Sequence, residues 1–272
     1  MGRRAVAAAA VLMAILAAAG VVEAQRYFRE GSFAARWAPA QMPDSSFVIC
    51  RVAYRSVRME YSGIGWQTDY PYAEINLTTR LSELTKTRVS RDDSKQPNFY
   101  VVRLTDDQLF KCPMLIGSDV GTAALSETEV QRLREYLLKG GFLWVDDFWG
   151  TPAWEQWSDV IARVLPEFPI VDTTPADPIR QALFTITEVK QVPSIFTWAG
   201  PGSDPRERGT DSPHANFRVI ADTHGRVIVA MTHNTDIGDS MEREGDDPDY
   251  FAAFSPDGYA LVTNIVLYAL TH

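Results

Sequence analysis

A cap, a helix, a glycine stop and a strand follow one another without interruption in the middle of this chain, and that run constrains the fold more than any other feature. Ser126-Glu127-Thr128-Glu129 has the spacing of a capping box, in which Ser and Glu side chains satisfy the orphan amides of a helix start. Val130, Leu133 and Leu137 then mark one apolar face, and Gly140-Gly141 ends the helix. Phe142-Leu143-Trp144-Val145 follows as a strand apolar on both faces, which suits a sheet covered on both sides, and it stops at Asp146-Asp147.

The same grammar recurs along the chain. Strands are expected over Phe47–Tyr54, Phe99–Leu104, Met114–Gly117 and Arg226–Met231. Helices are expected over Ala73–Leu84, after Thr105 through a second capping box, after Thr151 ahead of a first-turn Pro152, and over Ala260–Leu270. Residues 25–46 have no period and read as an extended lead-in. Residues 166–210 are rich in Pro, Asp and Gly and read as a lid-like insertion. Strands alternating with helices imply a single α/β domain over residues 47–272 with a mostly parallel central sheet.

The N-terminus has the layout of a secretory signal. Met1-Gly2-Arg3-Arg4 is followed by Ala5 to Val22 with no charged side chain, and Val22-Glu23-Ala24 precedes Gln25. Cleavage of residues 1–24 and export to the periplasm or beyond the cell are expected. A retained membrane anchor is the alternative, because the stretch approaches the length of a spanning helix. The chain carries 26 basic and 35 acidic residues. Cleavage removes Arg3, Arg4 and Glu23, leaving 24 and 34, a net charge of −10. A field of that sign, with no Lys/Arg cluster to offset it, excludes nucleic-acid binding. Cys50 and Cys112 lie on or beside expected strands, where a disulfide and two buried thiols are both open possibilities.

The run from Leu125 to Glu129, Leu133-Arg134-Glu135-Tyr136-Leu137, Gly140-Gly141-Phe142-Leu143, Asp146-Asp147 with Gly150, and the closing Asn264–Leu270 resemble the bacterial domain-of-unknown-function 4159 family. The resemblance implies a flavodoxin-like core, a three-layer sandwich similar to class I glutamine amidotransferases and their catalytically silent relatives. It implies no particular reaction. That family often carries a His in the loop after the strand at Leu115; this loop reads Gly117-Ser118-Asp119-Val120-Gly121, so a role for that His does not carry over.

In an open parallel sheet, ligands bind outside the carboxyl ends of the strands. Three loops end there: Ser118-Asp119, Asp146-Asp147, and His233-Asn234-Thr235-Asp236 with Asp239 following. Asp119, Asp146, Asp147 and His233 are the candidate catalytic residues, and Ser118, Trp149, Asn234 and Asp236 the candidate ligand-binding residues. The competing account is that Asp and Asn after strands simply cap helices and tolerate turns. No cofactor is expected, although an acidic group of this kind suits a divalent metal. Asp119 occupies the slot where amidotransferases place their nucleophile, but a cysteine amidotransferase is excluded, since no Cys stands in that turn. Of His214, His224, His233 and His272, only His233 follows a strand. Tyr61, Trp66, Tyr70, Tyr72, Trp149, Trp154 and Trp157 could line a ligand surface or anchor the core.

Two functions remain. One is a non-catalytic binding or assembly module of the cell envelope that holds a partner protein or small ligand. The alternative is an exported hydrolase, with carbohydrate as its candidate substrate class, using the acidic residues and His233.

Overall fold

A computed structural model describes residues 33–272. The expected signal at 1–24 and the first part of the lead-in lie outside the described residues.

The central sheet has seven strands. β1 (Ile49–Ala53), β3 (Phe99–Arg103), β4 (Leu115–Ser118), β6 (Leu143–Asp146) and β9 (Val227–His233) run parallel, and β8 (Asn216–Ala221) and β7 (Val171–Asp172) add antiparallel at one edge. The order is β3-β1-β4-β6-β9-β8-β7, so the chain leaves β1 to one side for β3 and returns to the other for β4. A short antiparallel pair, β2 (Arg55–Ser56) and β5 (Ala123–Ala124), stands apart from the sheet. The protein is therefore a mixed α/β structure with a mostly parallel sheet.

The helices are α1 (Tyr72–Leu84), α2 (Glu127–Leu138), α3 (Gly150–Val164), α4 (Ile237–Glu242) and α5 (Pro248–Thr271). The capping box before α2 is formed: Ser126 N donates to Glu129 Oε2 at 2.8 Å, and Ser126 Oγ accepts from the Glu129 amide. At its other end Gly140 stands at φ +106°, and a side chain on Gly141 would strike the Tyr136 ring. Arg226 reaches the carbonyls of Leu137, Gly140 and Gly141, which suits the negative end of a helix.

Several local expectations change. The capping box at Thr105 does not form: Asp106 folds back to accept the Arg103 amide, and a short 3₁₀ turn, Asp107–Lys111, follows. Thr151 is not the N-cap of α3; it lies in the first turn, where the Asp211 carboxylate accepts both its amide and its hydroxyl. β8 was hidden at the end of the Pro/Gly-rich segment, although Phe217 and Val219 alternate with Arg218 as a half-buried strand does. α5 begins twelve residues before the expected Ala260, because Asp247 caps the amides of Asp249 and Tyr250, Pro248 fits the first turn, and Pro256 is accommodated within the helix.

The main core cluster joins one face of the sheet to α2 and α3, with Val102, Leu115, Val145, Ile161 and Met231 fully buried. Cys50 and Cys112 are joined in a disulfide, their Cα atoms 5.9 Å apart. The aromatic segment is mostly anchorage: Tyr70 is buried between Trp66 and Phe99, and Trp149 and Trp157 are buried, while Tyr61 is exposed. Residues 35–272 form one compact unit.

Candidate functional site

Three of the five parallel strands, β4, β6 and β9, finish in left-handed turns. Asp119 after β4 (φ 51°), Asp147 after β6 (φ 53°) and Asn234 after β9 (φ 60°) all take this conformation, and so does Asp69 (φ 65°) in the loop between β2 and α1. Asp and Asn tolerate it better than other side-chain-bearing residues. The chain therefore turns sharply at each of these points and brings carboxylates to one end of the sheet.

Asp69 is the hub. Its Oδ2 accepts the Ser118 hydroxyl at 3.0 Å, and Ser118 Oγ in turn accepts Arg51 Nη1 at 2.9 Å. Arg51 stands in the middle of β1, fully buried, and is paired with Glu74 of α1 and the Thr68 carbonyl. One carboxylate oxygen from each of Asp69, Asp147 and Asp236 lies within 4.8 Å of the others, and all three residues are buried. Asp69, Asp239 and Glu242 meet the same criterion, so Asp69 belongs to both groups. The backbone leaves room for this only at glycine: a side chain on Gly238, in the first turn of α4, would sit 2.2 Å from Asp69 Oδ2.

Burial raises the carboxyl pKa values throughout the cluster, to about 6 for Asp69, about 7 for Asp119 and about 8 for Asp146. Asp147, Asp236, Asp239 and Glu242 are pushed well above the usual carboxylate range, first by loss of water and then by their acidic neighbours. Arginines compensate only in part. Arg51 is engaged by Glu74, Arg243 lies against Asp239, Glu242 and Asp246, and Arg208 bridges Glu60 and Glu207. An all-oxygen set of this kind suits a hard divalent cation such as Ca²⁺, Mg²⁺ or Mn²⁺ rather than a soft one.

The expected site residues divide into three groups. Ser118, Asp119, Asp146, Asp147 and Asp236 are brought to this end of the sheet. Asp119 Oδ2 accepts the Gly65 amide at 2.8 Å, and Tyr54 pins its turn by donating to the carbonyls of Ser118 and Asp119. Both oxygens of Asp146 are engaged, one by the Thr232 hydroxyl and one by the Gly238 amide at 2.7 Å. Asp236 caps α4 through the Asp239 amide at 2.8 Å. Trp149 and Asn234 brace the site: the Trp149 indole donates to Asp147 Oδ1 at 3.0 Å, and Asn234 Oδ1 accepts the Gly150 amide at 2.8 Å. His233 is placed elsewhere. It packs against Phe148 and Trp154, its Nε2 meets the Gly150 carbonyl at 3.2 Å, and burial lowers its pKa to about 4.

Asp69, Glu207 and Glu242 are absent from the sequence-based set. Glu207 Oε1 accepts the Ser194 amide and Oε2 the Ser62 hydroxyl, tying the insertion to the loop before α1. Asp69 had one local signal, its place in Thr68-Asp69-Tyr70-Pro71, a turn-type sequence ahead of a helix.

No curated protein matches the chain significantly. The sequence model of a family described as a domain of unknown function (DUF4159) matches residues 55–270, and the chain belongs to that family.

Proposed function

We propose that this chain is an exported protein of the cell envelope with a flavodoxin-like, amidotransferase-related core, and that it binds a divalent cation at the carboxyl ends of its sheet to hold a ligand or partner. The observation that carries the reading is the approach of Asp69, Asp147 and Asp236 to within 4.8 Å in a buried setting. Two ionised carboxylates at that separation repel by about 3 kcal/mol at an effective dielectric of about 20. Protons or a cation must therefore offset the charge, and the three residues offer a cation a ready oxygen face.

Other features support the rest of the reading. Counted among themselves in chain order, the parallel strands lie 2-1-3-4-5, the flavodoxin-like order, with Asp69, Ser118 and Asp119 near the β1/β4 switch point. The signal-like N-terminus and the Cys50–Cys112 disulfide suit an oxidising compartment. A binding role is favoured because the nucleophile slot holds Asp119 instead of Cys, His233 faces away from the carboxylates, and Asp146 has both oxygens engaged.

A second reading, an acid/base hydrolase, draws on Asp119, whose pKa near 7 suits proton transfer at neutral pH. One experiment separates the two. The full chain, stripped with EDTA, is melted with Ca²⁺, Mg²⁺, Mn²⁺ or Zn²⁺, beside Asp147→Asn. Stabilisation by a hard cation that is lost in the variant supports the binding site, and no shift with any cation overturns it. Turnover of chromogenic glycosides or esters that disappears in Asp119→Asn would replace the binding role with the hydrolase.

A further inference from the structure

A cavity of about 710 Å³ opens among the 180–215 segment and α5, and the carboxylates of the acidic cluster take no part in its walls. Arg180, Lys190 and His214 line it together with the rings of Trp198 and Phe254. Glu188 also borders it, but that residue is exposed.

Arg180 is the anomaly. The residue is only 7 % exposed, its Nε is buried without a hydrogen-bond partner, and no ion pair to it is formed among the described residues. Its guanidinium carbon lies 5.8 Å from the ring centroid of Phe217. Asp177, whose charge acts on it, is engaged elsewhere and accepts the Thr174 amide and hydroxyl. The backbone is fixed as well: Arg180 ends a 3₁₀ turn, its amide donates to the Asp177 carbonyl, and its carbonyl accepts the Ile186 amide. In a chain of net charge −9, acidic side chains are plentiful, yet among the described residues none forms an ion pair with this guanidinium. A buried charge without a counter-ion is unfavourable unless something supplies one.

The geometry points to a binding site for a small oxyanion carried on a flat apolar body. The Arg180 fork takes the carboxylate or phosphate, and Lys190, whose Nζ lies 4.0 Å from the exposed Asp257 carboxylate, adds a positive charge at the rim. Trp198 and Phe254, which meet edge-to-face with ring centroids 6.1 Å apart, form an aromatic wall for the body. A guanidinium is suited to this role because its planar donors match two oxygens at once.

Calorimetric titration of the full chain with phenyl phosphate and with phenylacetate tests the site and tells the two oxyanions apart; benzyl alcohol and inorganic phosphate serve as controls. At least one ring-bearing anion should bind, benzyl alcohol should not, and inorganic phosphate should bind at least tenfold more weakly. Arg180→Met should weaken binding at least tenfold while melting no lower than the parent, since it removes a charge that has no partner. Arg180→Lys, which keeps the charge but loses the fork, should weaken binding several-fold. Failure of both anions to bind, equal binding of benzyl alcohol, or unchanged affinity in Arg180→Met overturns the proposal. A lowered melting temperature in Arg180→Met with unchanged affinity would make Arg180 a structural residue instead.

Discussion

Asp69 and Asp147 each place a carboxylate oxygen within 4.8 Å of the other, although one enters from the loop before α1 and the other from the end of β6. Both stand in the left-handed region, and each is steadied by one hydrogen bond, Asp69 by Ser118 and Asp147 by the Trp149 indole. The pair is therefore built by two turns and held by two neighbours. Its behaviour should be readable in stability, pH dependence and cation response.

Neutralising one member should relieve repulsion. In EDTA at pH 8, Asp147→Asn is expected to melt higher than the parent while losing the response to Ca²⁺ or Mn²⁺. Asp236→Asn should behave alike, because Asn keeps the cap on α4. Differential scanning fluorimetry with and without cation reads both effects. Lower melting of both variants in EDTA would mean that the carboxylates serve as hydrogen-bonded structure.

The pH profile follows from the raised carboxyl pKa values. The folded protein retains protons on Asp119 up to about 7 and on Asp146 up to about 8, whereas in the unfolded chain these groups have lost them by about pH 4. Stability in EDTA should therefore fall as pH rises from 6.5 to 8.5, by about 1 kcal/mol per pH unit for each group still protonated. His233, with its pKa lowered to about 4, contributes stability that is lost as pH falls through 6.5, and it changes little over most of that window. Saturating cation should flatten the decline. Urea denaturation across the window measures it.

Gly238→Ala tests the close approach. The new methyl would meet Asp69 Oδ2, so the carboxylate must move and cation affinity should drop at least tenfold, although no ligand atom is altered. Titration calorimetry reports the change. Unchanged affinity would show that Asp69 is not needed in that position.

Asp146 and His233 should separate from the cluster in a different way. Asp146→Ala strands the Gly238 amide and takes one partner from the Thr232 hydroxyl, which keeps the Val145 carbonyl, and should cost about 1–3 kcal/mol of stability. His233→Ala leaves a gap between Phe148 and Trp154 and should destabilise as well, yet keep the cation response. Loss of that response in His233→Ala, with the fold retained, would return His233 to the site.

The elements legible in the sequence were those written locally. The box at Ser126 and Glu129, the glycines at 140 and 141 and the strand ending at Asp146 needed only neighbours in the chain, and each formed where the pattern placed it. Thr151 carried the same kind of signal and was overridden by Asp211, which reaches the helix start from the far end of the insertion. Pro256-Asp257-Gly258 resembles a break, but Gly258 lies against Ser240 with no room for a side chain, so α5 passes straight through. In the site, the acidic residues after β4, β6 and β9 were visible because the strands were. Asp69 acquires its meaning only from Ser118, Gly238 and Asp147, which no local pattern connects to it.

Diffraction from crystals grown with Mn²⁺, with data collected for its anomalous signal, tests the central claim most directly. A cation-binding cluster gives one strong anomalous peak bounded by Asp69, Asp147 and Asp236, with oxygen distances of about 2.2 Å. Carboxyl groups hydrogen-bonded directly to one another, with no peak between them at saturating Mn²⁺, would contradict it and make the cluster a proton-sharing structural core.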